Sequence, residues 1–389
     1  MDTDVRPVAP RRLDWLSNEA DRWVSEGILT EDAAETIKRR YVASHAGSLT
    51  RVVSYLGGGF LGVGLLWLVA TNLDELSPLV RFVGIVLIWL AFTAAAEALP
   101  LPRPLRGAFR GIAAMGFGGV VFQAAQSLQV PAYEPSLVGV WGLGALLYAY
   151  ASAGLAPLVV GIVTTMIWFD WQVVASSEST FAGVFAVLVG GAVATAMAAL
   201  HDRGQETFAQ VWRLAGGVLV LGGLFVAAIP QIGDHDLAWS PTLVVALGIA
   251  GLLVTVAVLR TDGLSRWEVL ASALIVPTGL ALVAWDPQVD DLGSVSGEAW
   301  LSAFVSIGVY VVVAGAVAVD GSVRDRTLLV VLATGALVAF TTMQSFAVFA
   351  PIMSGATLFL VLGVLLLLTG FVFDRARRGV AANLSEALS

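Results

Sequence analysis

The chain has 389 residues, 58% hydrophobic and only 13% charged, with a formal net charge of −8 and a mean hydropathy of +0.85. An average soluble domain carries roughly 25% charged residues, so this composition excludes an ordinary soluble globular protein and places the chain in lipid. Cysteine is absent, which excludes disulfides, thiolate zinc sites and cysteine nucleophiles.

Residues 1–12 carry prolines and no apolar period, which predicts a disordered tail. From Leu13 onward, Leu13, Leu16, Ala20, Trp23 and Val24 fall on one helical face until Gly27 stops the pattern. Thr30 is placed to cap a second helix, with Glu31 and Asp32 in its first turn and Lys38, Arg39 and Arg40 at its end. These signs match the helix dipole at both termini. Residues 13–46 therefore predict a small cytoplasmic helical hairpin. A unit of that size has too little core to stand alone, so self-association or a protein partner is expected through the Leu13–Tyr41 face.

From residue 52 the apolar spans set the organisation, since roughly 20 apolar residues cross a hydrocarbon layer of about 30 Å. Twelve spans are predicted, near 52–71, 79–98, 108–128, 136–152, 156–175, 181–200, 209–229, 241–259, 267–285, 299–319, 326–346 and 352–373. The fold class is thus all-α: a polytopic membrane protein with a membrane domain over 52–373, a cytoplasmic hairpin before it and a cytoplasmic tail at 374–389. Alternate loops hold Arg103, Arg106 and Arg110, then Arg203 and Arg213, then Arg260 and Arg266, then Arg324 and Arg326. By the positive-inside rule these loops and both termini face the cytoplasm. The opposite loops collect Asp74, Glu75, Glu134, Asp234, Asp236, Asp286, Asp290 and Asp291. The arginines are read as topology markers in contact with anionic lipid, so no nucleic acid is implied, and the localisation expected is a bacterial inner membrane.

A shift of 158 residues aligns Gly58, Gly59 and Gly64 with Gly216, Gly217 and Gly222, each followed by an acidic turn and a Ser-Pro helix start at Ser77-Pro78 or Ser240-Pro241. An even number of spans between copies preserves orientation, so two parallel six-helix repeats, 52–200 and 209–373, are expected. Gly58 and Gly62, four residues apart, predict a face on which a second helix packs closely in lipid.

Ionisable groups inside a span are functional candidates by default, because each costs on the order of 2.5–3.5 kcal/mol at the bilayer centre. Asp170 is read as the deepest, followed by Glu97 and Arg81. Polar residues gather toward one side of the spans, and Asn72, Gln123, Gln126, Asp170 and Gln344 form the candidate polar pocket. The competing reading has them bonding between helices. No phosphate loop, no zinc pair among His45, His201 and His235, and no acid/base constellation is present, so no cofactor, metal or enzymatic activity is expected.

The hairpin Trp23-Val24-Ser25-Glu26-Gly27-Ile28-Leu29-Thr30 with Ala33, Ile37 and Tyr41, and the glycine-rich first span running into Ala70-Thr71-Asn72-Leu73-Asp74-Glu75, resemble a family of bacterial predicted membrane proteins, domain of unknown function 2157. The resemblance covers roughly residues 13–150. It implies a multi-span membrane protein and carries over no catalytic residue. Two functions stay open: a carrier of a small solute, and a non-transporting envelope scaffold or regulator acting through the hairpin.

Overall fold

The computed structural model describes residues 6–8, 10–43, 53, 56–64, 67, 77–127, 134–177, 179–229, 239–285 and 297–349, together with the helical positions 360, 363, 364, 367, 370, 371 and 375. Asn72, the acidic turns at 74–75 and 234–236, and the cluster at 286–291 lie outside these residues. The chain divides into two compact units, Met1–Ser127 and Leu128–Ser389.

The first unit opens with helices α1 (Pro10–Ser25) and α2 (Glu31–Arg39). Gly27 ends the first turn of the connection at φ 74°, a left-handed conformation open to glycine at no steric cost. Thr30 caps α2 as expected, its hydroxyl accepting from the Ala33 amide at 3.3 Å. Ala20 and Ala34 are buried between the helices, and Lys38 Nζ joins Asp21 Oδ1 at 2.6 Å. The predicted tail is replaced in part by structure. Strand β1 (Arg6–Val8) pairs in parallel with β2 (Tyr41–Ala43), and α1 begins at Pro10. Proline suits a first helical position, where no backbone donor is needed, and the ladder ties the residues before it to those after α2.

Two long helices follow in this unit, α3 (Pro78–Ala98) and α4 (Arg103–Ser127). Trp89 meets Phe117 and Phe92 meets Phe109 across them, and Arg110 grips Glu97 with two bonds of 2.8 and 2.7 Å. Residues 56–64 are helical, and their glycine face behaves as the spacing predicts. A Cβ at Gly58 would lie 3.1 Å from Ala108 Cβ, and one at Gly62 would lie 2.6 Å from Met115 Sδ. Gly57, Gly59 and Gly64 meet nothing within 4 Å.

The second unit contains α5 (Pro135–Ser152), α6 (Leu155–Ser177), α7 (Thr180–His201), α8 (Glu206–Ala227), α9 (Pro241–Arg260), α10 (Gly263–Ala284), α11 (Gly297–Val323) and α12 (Thr327–Phe349). Among the described residues of both units, nine helices are long and apolar enough to cross a membrane, so a lipid bilayer is their environment. Each predicted span in these regions has its helix; the largest boundary difference is the start of α4, at Arg103 for an expected 108. There Pro100, Pro102 and Pro104 crowd the turn, and a helix start tolerates proline in a way its interior does not.

Helix α7 is the centre of this unit, packed against α6, α8, α9 and α10. Its apolar window is 72% buried, against 17% for α9. A helix apolar on every face belongs inside, and its small residues admit neighbours closely. A Cβ at Gly191 would come within 2.8 Å of Val220, one at Gly216 within 2.7 Å of Thr195 Oγ1, and one at Gly223 within 2.7 Å of Leu188. Helices α5 and α6 approach the same way, with Gly139 under Trp168, Gly142 under Thr165 and Gly161 under Leu146. Lipid tails are as apolar as leucine, so such close packing, not the hydrophobic effect, drives helix association. Toward α11 and α12 the core is aromatic: Tyr310 and Phe340 stack with centroids 3.8 Å apart, and Phe225 meets both edge-on.

Candidate functional site

The expected polar pocket is divided between the units. Gln123 and Gln126 sit on α4 in the first, and Asp170 on α6 and Gln344 on α12 in the second. Gln123 is 1% exposed with its Oε1 unpartnered, whereas Gln126, three residues on, is exposed. The two glutamines thus face different surroundings. Gln344 is buried and donates from Nε2 to the Ala228 carbonyl at 3.0 Å, so it bonds between helices α12 and α8, as the competing reading of these residues holds. Asp170 is half-buried beside Gly183 of α7, and its Oδ1 has no hydrogen-bond partner. Thr165 Oγ1 and Trp168 Nε1 of the same helix are likewise buried without partners. A carboxylate, a hydroxyl and an indole donor therefore stand unsatisfied on one membrane helix. Groups of this kind are normally paired when buried.

A second constellation, absent from the sequence reading, forms where α7 ends. Asp202 follows α7, Arg213 lies in the second turn of α8, Ser265 and Glu268 lie near the start of α10, and Asp320 and Arg324 close α11. Arg213 donates from Nε to Glu268 Oε1 at 2.7 Å and from Nη2 to Asp202 Oδ2 at 2.8 Å. Arg324 donates from Nε to Asp320 Oδ1 at 2.7 Å and from Nη2 to Glu268 Oε2 at 2.9 Å. Ser265 donates to Asp202 Oδ2 at 2.7 Å and accepts from Arg324 Nη2 at 3.0 Å. The side chain of Arg213 is 6% exposed and those of Glu268 and Asp320 are each 14% exposed.

This overturns the reading of Arg213 and Arg324 as loop arginines in contact with anionic lipid. Their planar guanidinium forks are consumed by carboxylates of neighbouring helices, the geometry for which arginine is suited and lysine is not. A signal was present in the sequence. Asp202, Glu206, Asp262, Glu268 and Asp320 all lie beside the same helix ends as the arginines, but the positive-inside rule weighs only the basic residues. Two further pairs flank the cluster, Arg326 with Glu206 and Arg203 with Asp262. Trp212 of α8 is buried and donates from Nε1 to Tyr150 Oη at 3.1 Å.

Residues 21–159 match the model of a family described as predicted membrane protein (DUF2157), over nearly the stretch where the resemblance was expected. No curated protein and no solved structure matches the chain.

Proposed function

We propose, from a chain whose residues 21–159 match a predicted membrane protein family, that this protein is a twelve-span carrier of a small solute. It would lie in a bacterial inner membrane with both termini in the cytoplasm. The observation that carries the reading is the set of ionisable and unsatisfied polar groups on membrane-crossing helices, Asp170 with Oδ1 unpartnered above all. Such residues are costly in lipid and mark solute or ion pathways. The helical positions 53, 56–64 and 67, and the helical positions 360, 363, 364, 367, 370, 371 and 375, support spans at both ends of the membrane domain. The six-plus-six repeat belongs to the same proposal: Gly58 and Gly216 both lie at close helix contacts and Gly64 and Gly222 both meet no described residue within 4 Å, whereas the third aligned pair differs, Gly59 meeting none and a Cβ at Gly217 lying 3.1 Å from Leu332. Superposition of the two halves decides it.

The absence of cysteine makes the experiment clean. Single cysteines at Asn72, Gln123, Gln126, Asp170 and Gln344 are treated with a membrane-impermeant maleimide on intact cells, beside Arg203→Cys as a cytoplasmic control. A pocket open to the outside gives labelling at Asn72, Gln126 and Asp170 and none at Arg203. No labelling of any pocket position in intact cells, with full labelling after denaturation, would falsify the pocket.

The scaffold reading keeps one observation of its own. Trp15 and Ile28 of the hairpin are 60% and 65% exposed, suited to a protein partner. Deleting residues 1–45 abolishes function under this reading while insertion stays intact; an unchanged phenotype in the deletion strain refutes it.

A further inference from the structure

We propose that Asp170 is a reversible proton-binding site between α6 and α7, and that the carrier is coupled to this proton. The coupling rests on the carrier reading; the proton site itself is tested without any solute.

Asp170 is the single ionisable residue of α6 and lies two turns before its end, about 10 Å along the axis from Ser177. Thr165 and Trp168 of the same helix turn toward Gly142 and Gly139 of α5. At about 100° per residue, Asp170 falls on the opposite side, toward α7. There a Cβ at Gly183 would lie 3.1 Å from Val174 Cγ2 and 4.0 Å from Asp170 Oδ1. The adjoining turn is apolar, with Val173 fully buried in one cluster with Ala182 and Phe185 of α7. Asp170 Oδ1 is therefore shut between an aliphatic side chain and a glycine, with no hydrogen-bond donor.

No positive charge is at hand to balance it. The sequence holds no arginine, lysine or histidine between Arg110 and His201. Of the helices packed against α6, α5 carries Tyr148 and Tyr150, α7 ends in His201, α8 carries Glu206 and Arg213, and α9 ends in Arg260. The Tyr150 ring meets those of His201 and Phe208, and Arg203 reaches the Arg260 carbonyl. These groups thus share the end of the unit where α6 begins, and Asp170 lies about 22 Å further along the helix. Glu134, exposed ahead of α5, is an acid and not a base.

A carboxylate removed from water with neither counter-charge nor donors is far costlier than the neutral acid. The closed α6–α7 contact accordingly takes Asp170 as the acid. A metal ion is a poor substitute, because hard cations require several oxygen ligands and this face offers Val174 and Gly183, with the backbone carbonyls engaged in the two helices. When the outer pocket admits water, the O–H bond of Asp170 breaks, the proton passes to a water molecule and the electron pair stays on the carboxylate. Reclosure then requires a proton to be taken up again, which couples the cycle to proton movement.

The test treats the full chain in lipid nanodiscs with dicyclohexylcarbodiimide, a lipid-soluble reagent that takes the proton of a carboxylic acid and is then added to by its oxygen, leaving a stable acylurea. Peptide mass spectrometry is expected to find Asp170 modified at neutral pH, with modification declining as the pH is made alkaline. Asp170→Asn loses the modification and Asp170→Glu retains it; the wild-type result is decisive even if a variant fails to insert. The proposal is overturned if Asp170 stays unmodified at neutral pH, if its modification is indifferent to pH, or if sodium at constant pH suppresses it, which would assign the site to a metal cation. Modification of Asp170 without maleimide labelling of the pocket cysteines removes the carrier and its coupling but keeps the proton site, whereas the reverse pair of results removes the proton site alone.

Discussion

Arg213 and Glu268 are 55 residues apart in sequence, yet Arg213 Nε lies 2.7 Å from Glu268 Oε1 and the arginine side chain is only 6% exposed. Breaking a buried pair by removing one partner leaves an unpaired charge and costs about 3–5 kcal/mol. Arg213→Met is therefore expected to lower unfolding stability in nanodiscs by that amount. The double variant Arg213→Met with Glu268→Met should recover part of the loss, because it removes the stranded carboxylate as well. Additive losses in this cycle would show that the two residues act independently.

Close packing of α5 on α6 yields a sharper contrast. A Cβ at Gly142 would sit 2.7 Å from the backbone nitrogen of Thr165, which cannot yield as a side chain can. Gly142→Ala is expected to cost about 1–3 kcal/mol by overpacking. Gly222→Ala, at a position with nothing within 4 Å, should leave stability unchanged. Thermal denaturation of the two variants side by side checks this, and equal effects would contradict it.

The aromatic stack of Tyr310 and Phe340 separates ring packing from hydroxyl bonding. Phe340 is 2% exposed, so Phe340→Ala is expected to cost about 3–5 kcal/mol. The Tyr310 hydroxyl reaches the Ala336 carbonyl only at 3.4 Å, a long bond, and Tyr310→Phe should cost below about 1 kcal/mol. Chemical denaturation of both variants measures the difference.

In the hairpin, Gly27 at φ 74° and the Thr30 cap define the turn. Gly27→Ala forces a side chain into a left-handed conformation at about 1–2 kcal/mol, and Thr30→Ala removes the cap at about 1 kcal/mol. Limited proteolysis of the intact protein should cut each variant between α1 and α2 faster than wild type, with helix insertion unaltered.

The hairpin also shows where reading from the chain alone stops. The stripe Leu13, Leu16, Ala20, Trp23 and the signals at Gly27 and Thr30 are local, and they predict both helices. The pairing of Arg6–Val8 with Tyr41–Ala43 spans more than thirty residues. No local pattern in a proline-bearing segment announces it.

Long apolar runs separated by prolines, glycines and charges determine by themselves that this is a helical membrane protein and where its helices lie, because in lipid every backbone amide must be satisfied within its own segment. Gly58 and Gly62 likewise announce a packing face, since a small-residue stripe is written in consecutive turns. Which helix meets which was decided only by the tertiary structure. The choice of α7 as the buried centre rests on shape matching among Gly191, Gly216, Gly223 and their neighbours. The convergence of Asp202, Arg213, Glu268, Asp320 and Arg324 then follows from that packing: each charge has a plain local reason to sit near a helix end, and only the meeting of four helices turns five such residues into one buried site.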